Sequence, residues 1–225
     1  MELTMFQRLQ ELPLLQGLST DELNEIVTKV RLDFQQQEKG ETIASQMSSC
    51  KQLVFVLKGT MRVEFVDSKK QFRFCEYLEA PLIIEPYSLF GLNQKYRRTY
   101  TCQTDCQTLA ISRSQFLGIM LDHHIVKTNT LNLICNELQH LASKLEGVSH
   151  ADIYTKFRQL VLNRSLYPRG SKQIFATMDT LADMLDETRL NVSRLLKSLN
   201  QQGLLIQERK FFTIPDVSKL PVHTP

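Results

Sequence analysis

The sequence contains no long hydrophobic run. None of its 225 residues falls in an apolar stretch of the ~18 residues or more that a membrane-spanning helix needs. It also does not open with the basic and then apolar pattern of a secretory signal peptide. We therefore expect a cytoplasmic protein that has no membrane as a partner.

Cysteine and histidine are both scarce. The five cysteines are an odd number without the regular spacing of a disulfide framework, which suits a reducing compartment. None of the five histidines lies among the predicted strands, so a metal-dependent enzyme of the cupin type lacks its ligands. No nucleophile–base pair stands out either. We expect no metal site and no enzymatic activity.

The net charge is small but unevenly distributed. The whole chain carries +3, whereas residues 151–225 hold 11 Lys/Arg against 7 Asp/Glu, a net charge of +4. Phosphate binding needs such a local excess of positive charge. The C-terminal third is therefore the predicted nucleic-acid-binding part.

The stretch from Thr177 to Ile206 has the pattern of a helix-turn-helix. Thr177 and Thr188 can cap two short amphipathic helices, Asp186 tolerates the sharp turn between them, and Gly203 can end the second helix. Two short apolar runs around residues 207–210 then predict a β-hairpin wing. The alternative is an ordinary helical hairpin with a solvated face.

Polar residues are concentrated at the start and along one face of the second helix. In a helix-turn-helix this helix enters the major groove, where Arg can bind guanine and Asn can bind adenine. The predicted DNA-binding residues are Thr177, Thr188, Arg189, Leu190, Asn191, Ser193, Arg194, Lys197 and Arg209.

The N-terminal part changes from helical periodicity to alternation of apolar and polar residues. Seven short strand candidates lie between Val30 and Ser112, separated by turn residues, and predict an antiparallel barrel or jelly roll with flanking helices. With the helical C-terminal region, the expected fold class is α+β. The predicted domains are an effector barrel over residues 1–113, a dimerisation helix over 114–148 and a winged helix over 149–225.

The dimerisation helix is predicted from a heptad pattern. Apolar residues recur at steps of three and four, which is the seam of a coiled coil. The expected dimer contacts are Leu131, Ile134, Leu138, Leu141 and Leu145, with Val148 at the end of the seam. The alternative is a helix that packs only on its own barrel.

This order of elements resembles the Crp–Fnr family of bacterial transcription regulators. The resemblance rests on the run Phe55–Gly59, on Gly40, on Asp152 before the C-terminal helices, and on the pattern of residues 188–197. It implies a homodimer that binds an inverted-repeat operator in double-stranded DNA, with an effector in the barrel and contact with RNA polymerase.

The predicted effector pocket departs from that of the family's nucleotide-binding members, which hold ribose and phosphate with a Gly-Glu pair and a following Arg-Ser/Thr. Here Ile84 stands in place of the glycine, and Tyr96 falls at the arginine position. The sequence therefore disfavours cyclic AMP and favours another small molecule or no ligand. The candidate effector-binding residues are Glu85, Leu89, Phe90, Gly91, Arg97, Arg98 and Thr99.

The other cofactors of sensor proteins also lack support. His123 and His124 could in principle bind haem, but a solvated pair explains them better. No group of four cysteines is present to hold an iron–sulfur cluster. A redox role for Cys102 and Cys106 stays open beside a plain structural role.

We therefore expect a homodimeric, sequence-specific DNA-binding transcription regulator that responds to a small-molecule or redox effector. The alternative is a ligand- or partner-binding barrel whose winged helix mediates protein contacts.

Overall fold

The computed structural model describes residues 9–69, 71–145 and 152–221. By their contacts the residues form two compact units: residues 1–61 with 78–143, and residues 62–77 with 144–225. Among the described residues, no helix has both the length and the apolar character required to cross a bilayer.

The N-terminal unit is built on antiparallel strands. They are β1 (Asp33–Gln37), β2 (Thr42–Ala44), β3 (Gln52–Lys58), β6 (Leu82–Ile84), β7 (Thr99–Cys102) and β8 (Cys106–Ser112). Four of them form a sheet in the order β1-β8-β3-β6, and β2 pairs with β7. Within the described part of the chain these are jelly-roll-like sheets rather than one closed barrel. The predicted antiparallel fold is confirmed in this form.

The described part of this unit also contains the helices α1 (Thr20–Lys29), α2 (Arg113–Asp122) and α3 (His124–Leu145). Each of the first two begins with a capping box, formed by Ser19 with Glu22 and by Ser112 with Gln115. In such a box the serine and the side chain three residues later satisfy backbone N–H groups that the first turn leaves unpaired. Both helix starts are therefore fixed locally.

Gly59 occupies a position that excludes every other residue. Its φ is +105°, and a Cβ atom there would lie 2.6 Å from both the Asp105 carbonyl oxygen and the Cys106 Sγ atom. The turn between strands therefore packs directly on the start of β8, and glycine is required for this contact.

The C-terminal unit holds the winged helix. Its helices are α4 (Ile153–Arg164), α5 (Met178–Leu185) and α6 (Arg189–Gln201), and its strands are β9 (Lys172–Ala176), β10 (Ile206–Gln207) and β11 (Phe212–Ile214). The two helices of the predicted helix-turn-helix and its β-hairpin wing are confirmed. The strand β9 was not among the predicted elements.

A hairpin from the predicted barrel also belongs to this unit. It consists of β4 (Thr60–Val66) and β5 (Phe72–Glu79), and β5 pairs with β9 through five residue pairs, from Phe72 opposite Ala176 to Glu76 opposite Lys172. The side chains of Phe72 and Phe74 lie in the same hydrophobic core as those of Leu185, Leu196 and other helix residues of the unit. The winged helix therefore shares its core with this hairpin.

A buried ion pair joins the same two strands. The Lys172 Nζ atom lies 2.8 Å from a Glu76 carboxylate oxygen, and both side chains are inaccessible to solvent. Glu76 also accepts from the Leu166 backbone N–H, and Lys172 also donates to the Arg169 carbonyl. These hydrogen bonds offset part of the free-energy cost of removing two charges from water. An arrangement that separated the two side chains inside the protein would leave each charge buried without its partner, which is strongly destabilising.

We predict that Glu76→Gln destabilises the C-terminal unit by about 3–5 kcal/mol, because it leaves the Lys172 charge buried without a counter-charge. Urea unfolding followed by far-UV circular dichroism measures this, since the chain has no tryptophan. The double variant Glu76→Gln/Lys172→Met should recover much of the loss. Glu25→Gln breaks an exposed pair with Lys29 and should leave the stability nearly unchanged, because solvent screens that pair. Equal stability of Glu76→Gln and wild type would contradict the assignment.

Candidate DNA interface and effector site

The helix-turn-helix is fixed by side chains at each of its ends. Thr177 caps α5 by accepting from the Thr180 N–H, and Thr188 caps α6 by accepting from the Asn191 N–H. Between the helices Asp186 has a left-handed backbone, with φ +51°. Asp tolerates that conformation better than most residues. The two helices therefore meet at a locally determined angle.

The end of α6 is equally defined. Gly203 has φ +71°, its N–H donates to the Asn200 carbonyl, and the Leu204 N–H donates to the Leu199 carbonyl. This pair of hydrogen bonds is the Schellman motif, in which glycine follows the helix in a left-handed conformation. The chain then turns directly into the wing.

Helix α6 has one buried and one exposed face. Val192, Leu195, Leu196 and Leu199 lie in the core of the unit. The opposite face carries five of the predicted DNA-binding side chains, all exposed: Arg189, Leu190, Ser193, Arg194 and Lys197. Leu190 is 59% exposed, which is unusual for a large apolar side chain and suits contact with a thymine methyl group.

Glu187 organises the start of α6. Its carboxylate lies 2.8 Å from the Lys156 Nζ atom and accepts from the Asn191 side-chain amide at 3.1 Å. The hydrogen bond from Lys156, followed by that from Asn191, holds the pKa of the Glu187 carboxyl below its usual value. Lys156 thus balances an acidic group at the helix end. Asn191 is positioned by the protein itself, and its amide has a partner before any DNA is bound.

The other predicted contacts also lie on the surface of this unit. Thr177 is exposed at the start of α5, and Arg209 is exposed in the wing turn. Arg189 lies 3.5 Å from Asp179, but both side chains are about 70% exposed, so this ion pair is weak and easily exchanged for a phosphate. Arg194 and Lys197 form no hydrogen bond or ion pair with any described residue.

The predicted dimer seam lies on an exposed face of α3. Leu131, Leu138 and Leu141 are each more than half exposed, and Ile134 is partly buried. Leu145 closes the described part of the helix, but its side chain and Val148 lie outside the described residues. Regularly spaced exposed leucines are costly for an isolated helix and suit a partner surface.

Glu85 stands at the centre of the predicted effector site. It is 2% exposed and has a left-handed backbone, with φ +36°. Its carboxylate accepts from the Arg97 backbone N–H at 2.6 Å, from the Ser88 hydroxyl at 2.9 Å and from the Tyr100 hydroxyl at 3.3 Å. Burial raises the pKa of this carboxyl, and the hydrogen bonds only partly oppose that shift. The chain's own donors therefore occupy this carboxylate.

The remaining predicted effector residues do not form one polar cluster. Leu89 is buried, Phe90 packs near Phe116, and Gly91 is exposed. Thr99 accepts from the Gln46 N–H. Of the predicted effector residues, Arg97 donates its backbone N–H to Glu85, and the positive charge of Arg98 acts to lower the pKa of the same carboxyl.

The arginines and Tyr96 have different surroundings. Arg97 is exposed, Arg98 is half-buried, and Tyr96 is buried with its hydroxyl 3.5 Å from the Gln52 carbonyl. A buried aromatic ring thus occupies the position at which the family's nucleotide-binding members have a phosphate-binding arginine.

Cys102 and Cys106 are both buried. Burial, followed by the hydrogen bond from Cys106, raises the pKa of the Cys102 thiol to about 12. The thiolate is the reactive form of cysteine, so little of it exists near neutral pH. This environment resembles that of a structural cysteine more than that of a sensor.

Sequence reasoning missed several residues that shape these sites. Ser88 and Tyr100 donate to Glu85, and Lys156, which lies 31 residues earlier in the chain, donates to Glu187. The Glu76–Lys172 pair was also missed, although alternation in β5 places Glu76 on the same face as Phe72 and Phe74. A charged residue in step with buried aromatics was the available signal.

Comparison with known families places both units. A model of the cyclic nucleotide-binding domain matches residues 34–123, and a model of the Crp-like helix-turn-helix domain matches residues 158–221. The chain thus combines an effector-type domain with a DNA-binding domain, as transcription regulators do. It belongs to the Crp–Fnr family, whose members are generally not enzymes. No curated protein sequence matches it.

Solved structures show the same fold. The catabolite activator protein of Thermus thermophilus is 19% identical, with a TM-score of 0.55, over 92% of this chain and 96% of that one. A Crp/Fnr-family regulator from Eubacterium rectale is 20% identical, with a TM-score of 0.55, over 92% and 95%. The c-di-GMP-responsive regulator CLP of Xanthomonas campestris is 14% identical, with a TM-score of 0.53, over 88% and 99%.

We predict that Glu85→Gln removes a pH-dependent loss of stability. Because the pKa of Glu85 is raised in the folded protein, folding favours the protonated carboxyl, and wild-type stability falls as the pH rises through that raised pKa. Thermal unfolding from about pH 4 to about pH 8 should show wild type losing stability relative to Glu85→Gln. Glu79→Gln, at an exposed residue, controls for the change of net charge. A constant difference between wild type and Glu85→Gln would contradict the prediction.

Proposed function

We propose that this protein is a homodimeric, sequence-specific DNA-binding transcription regulator. The observation that carries the proposal is the exposed face of α6, where Arg189, Leu190 and Arg194 project from a helix that is capped at its start and closed at its end. A rigid helix with such a face fits the major groove. Arg189 and Arg194 would contact guanine or phosphate, and Asn191 would contact a base edge or phosphate.

The backbone of the DNA would be held by the remaining polar residues. Ser193, Lys197 and Arg209 are exposed, and Thr177 and Thr188 sit at the two helix starts. Contacts of this kind fix the register of the protein on the duplex without reading its sequence. The wing and the helix starts would therefore supply affinity, and α6 would supply specificity.

Dimerisation would use the exposed seam of α3. Leu131, Leu138 and Leu141 recur at coiled-coil spacing on that helix, and each is more than half exposed. Pairing with the same helix of a second copy buries them and places two α6 helices about a two-fold axis. The domains proposed are the effector domain (1–113), the dimerisation segment (114–148) and the winged helix (149–225), with RNA polymerase as a further partner. The described residues of the dimerisation segment form two helices, α2 and α3, rather than the single helix that the sequence predicted.

The effector would be a small molecule other than cyclic AMP. The carboxylate of Glu85 is already engaged by donors from Arg97, Ser88 and Tyr100, and Tyr96 stands at the position of the phosphate-binding arginine. A redox effector has less support, because burial suppresses the Cys102 thiolate. The regulator from Xanthomonas campestris, which has this fold, is described as responsive to c-di-GMP, so the fold accommodates other effectors.

A second candidate function is a ligand-binding protein whose winged helix contacts another protein. The exposed Leu190 favours it, because an apolar side chain also suits a protein partner. The basic residues around it favour DNA.

Selection of duplexes from a random DNA library by the purified protein tests the proposal. We expect enrichment of an inverted repeat with half-site centres ~10 bp apart, because that spacing mirrors a two-fold dimer. Enrichment of an unpaired half-site would contradict the dimer. Absence of enrichment, both alone and with a metabolite extract, would contradict DNA recognition and favour the protein-contact alternative.

On the selected operator we predict that Arg189→Ala weakens binding by ~1–3 kcal/mol and relaxes specificity at one base position. Titration of labelled operator and of single-mismatch duplexes measures both effects. Arg169→Ala, which removes an exposed arginine from the loop before β9, is the matched control. Unchanged operator affinity in Arg189→Ala would remove Arg189 from the interface.

A further inference from the structure

The turn of the β4–β5 hairpin lies beside the wing. In the antiparallel β5–β9 pair Phe72 is opposite Ala176, and in the antiparallel β9–β11 pair Ile174 is opposite Phe212. The turn before β5 and the turn before β11 therefore flank the same end of β9, where the chain enters α5 at Thr177. Two hairpin turns and a helix start share one end of the sheet.

An open groove of about 460 Å³ lies at this end. Phe175 and Phe211 line it, with ring centroids 5.0 Å apart. Its polar lining comes from the hairpin, the helix start and the wing: Gln71, Thr177, Gln207, Glu208, Arg209 and Lys210. The barrel hairpin thus contributes to the same surface as the basic wing turn.

Both turns at this end of the sheet expose positive side chains. Lys69 is exposed at the hairpin turn, and Arg209 and Lys210 are exposed at the wing turn. Arg73 lies 3.7 Å over the Phe175 ring and is paired with Glu64, and the exposed Asp179 at the start of α5 is paired with Arg189. The acidic Asp67 accepts from the Phe72 and Lys69 backbone N–H groups, so its carboxylate is used to close the turn. Glu208 is the acidic residue of the groove lining. Such a surface suits a phosphate backbone.

The strand that follows the hairpin turn is firmly anchored. Phe72 and Phe74 anchor β5 in the core of the C-terminal unit, and the buried Glu76–Lys172 pair fixes its register against β9. A contact residue on a rigid element loses little conformational freedom on binding. Lys69 is therefore presented on the same body as the DNA-reading helix.

We propose that the β4–β5 hairpin acts as a second wing, with Lys69 contacting a backbone phosphate of the operator beside the phosphate held by Arg209. This inference rests on the proposed DNA-binding function. The hairpin lies between two segments of the N-terminal unit in the sequence, and the proposal adds it to the DNA interface. The contact is to the backbone, so it increases affinity for all sequences alike and carries no base specificity.

The test is the salt dependence of operator binding by the full chain, measured by fluorescence polarisation at several salt concentrations. Neutralising one phosphate contributes about 0.9 to the slope of log affinity against log salt. We expect Lys69→Ala to reduce the slope by about 1 and to weaken operator and mismatched duplexes by the same factor. Lys69→Glu should weaken both further.

The matched control is Lys219→Ala. This exposed lysine follows β11 at the opposite end of the sheet, so the variant makes the same charge change away from the proposed contact. An unchanged slope in Lys69→Ala, with a reduced slope in Arg209→Ala, would overturn the second wing and leave the proposed function intact. A wild-type protein whose operator binding showed no salt dependence would overturn both.

Discussion

The pairing of β5 with β9 is the constraint on which the C-terminal unit depends. Phe72 and Phe74 complete a hydrophobic core that α4, α5 and α6 also share, and the buried Glu76–Lys172 pair makes other registers costly. The division between the units falls within β4 and within β5, so the chain passes from the N-terminal unit into the hairpin and back again. The element that supports α6 is therefore covalently continuous with the N-terminal unit.

Under the proposed function, the hairpin would be the part of the chain through which an effector influences DNA binding. Any change that strains the β4–β5 hairpin acts on the core behind α6, since both are packed against the same residues. The Glu85 site lies in the other unit, where one carboxylate is satisfied by the chain itself. A ligand that bound there would have to replace those hydrogen bonds, so its binding energy would be linked to a rearrangement around Arg97 and Tyr100.

Local rules predicted the helix-turn-helix because its geometry is encoded residue by residue. The hydroxyls of Thr177 and Thr188 cap the two helices. Asp186 and Gly203 adopt the left-handed backbone conformations that the turn and the helix end require. The antiparallel fold also followed from alternation and turn residues. Pairing between distant strands could not be predicted in this way. The sequence contains both Glu76 and Lys172, but nothing in it states that strands about a hundred residues apart become neighbours. The three donors around Glu85 depend on tertiary packing in the same sense.

Amide hydrogen exchange of the full-length protein tests most directly whether the hairpin belongs to the DNA-binding unit. We expect the protected backbone amides of Phe72–Glu76 to open together with those of Ile174 and Leu196, with one shared free energy of opening. Two results would contradict this expectation. The hairpin amides could open with the same free energy as those of Val54–Val56 in the N-terminal unit, or they could exchange rapidly and independently of either unit.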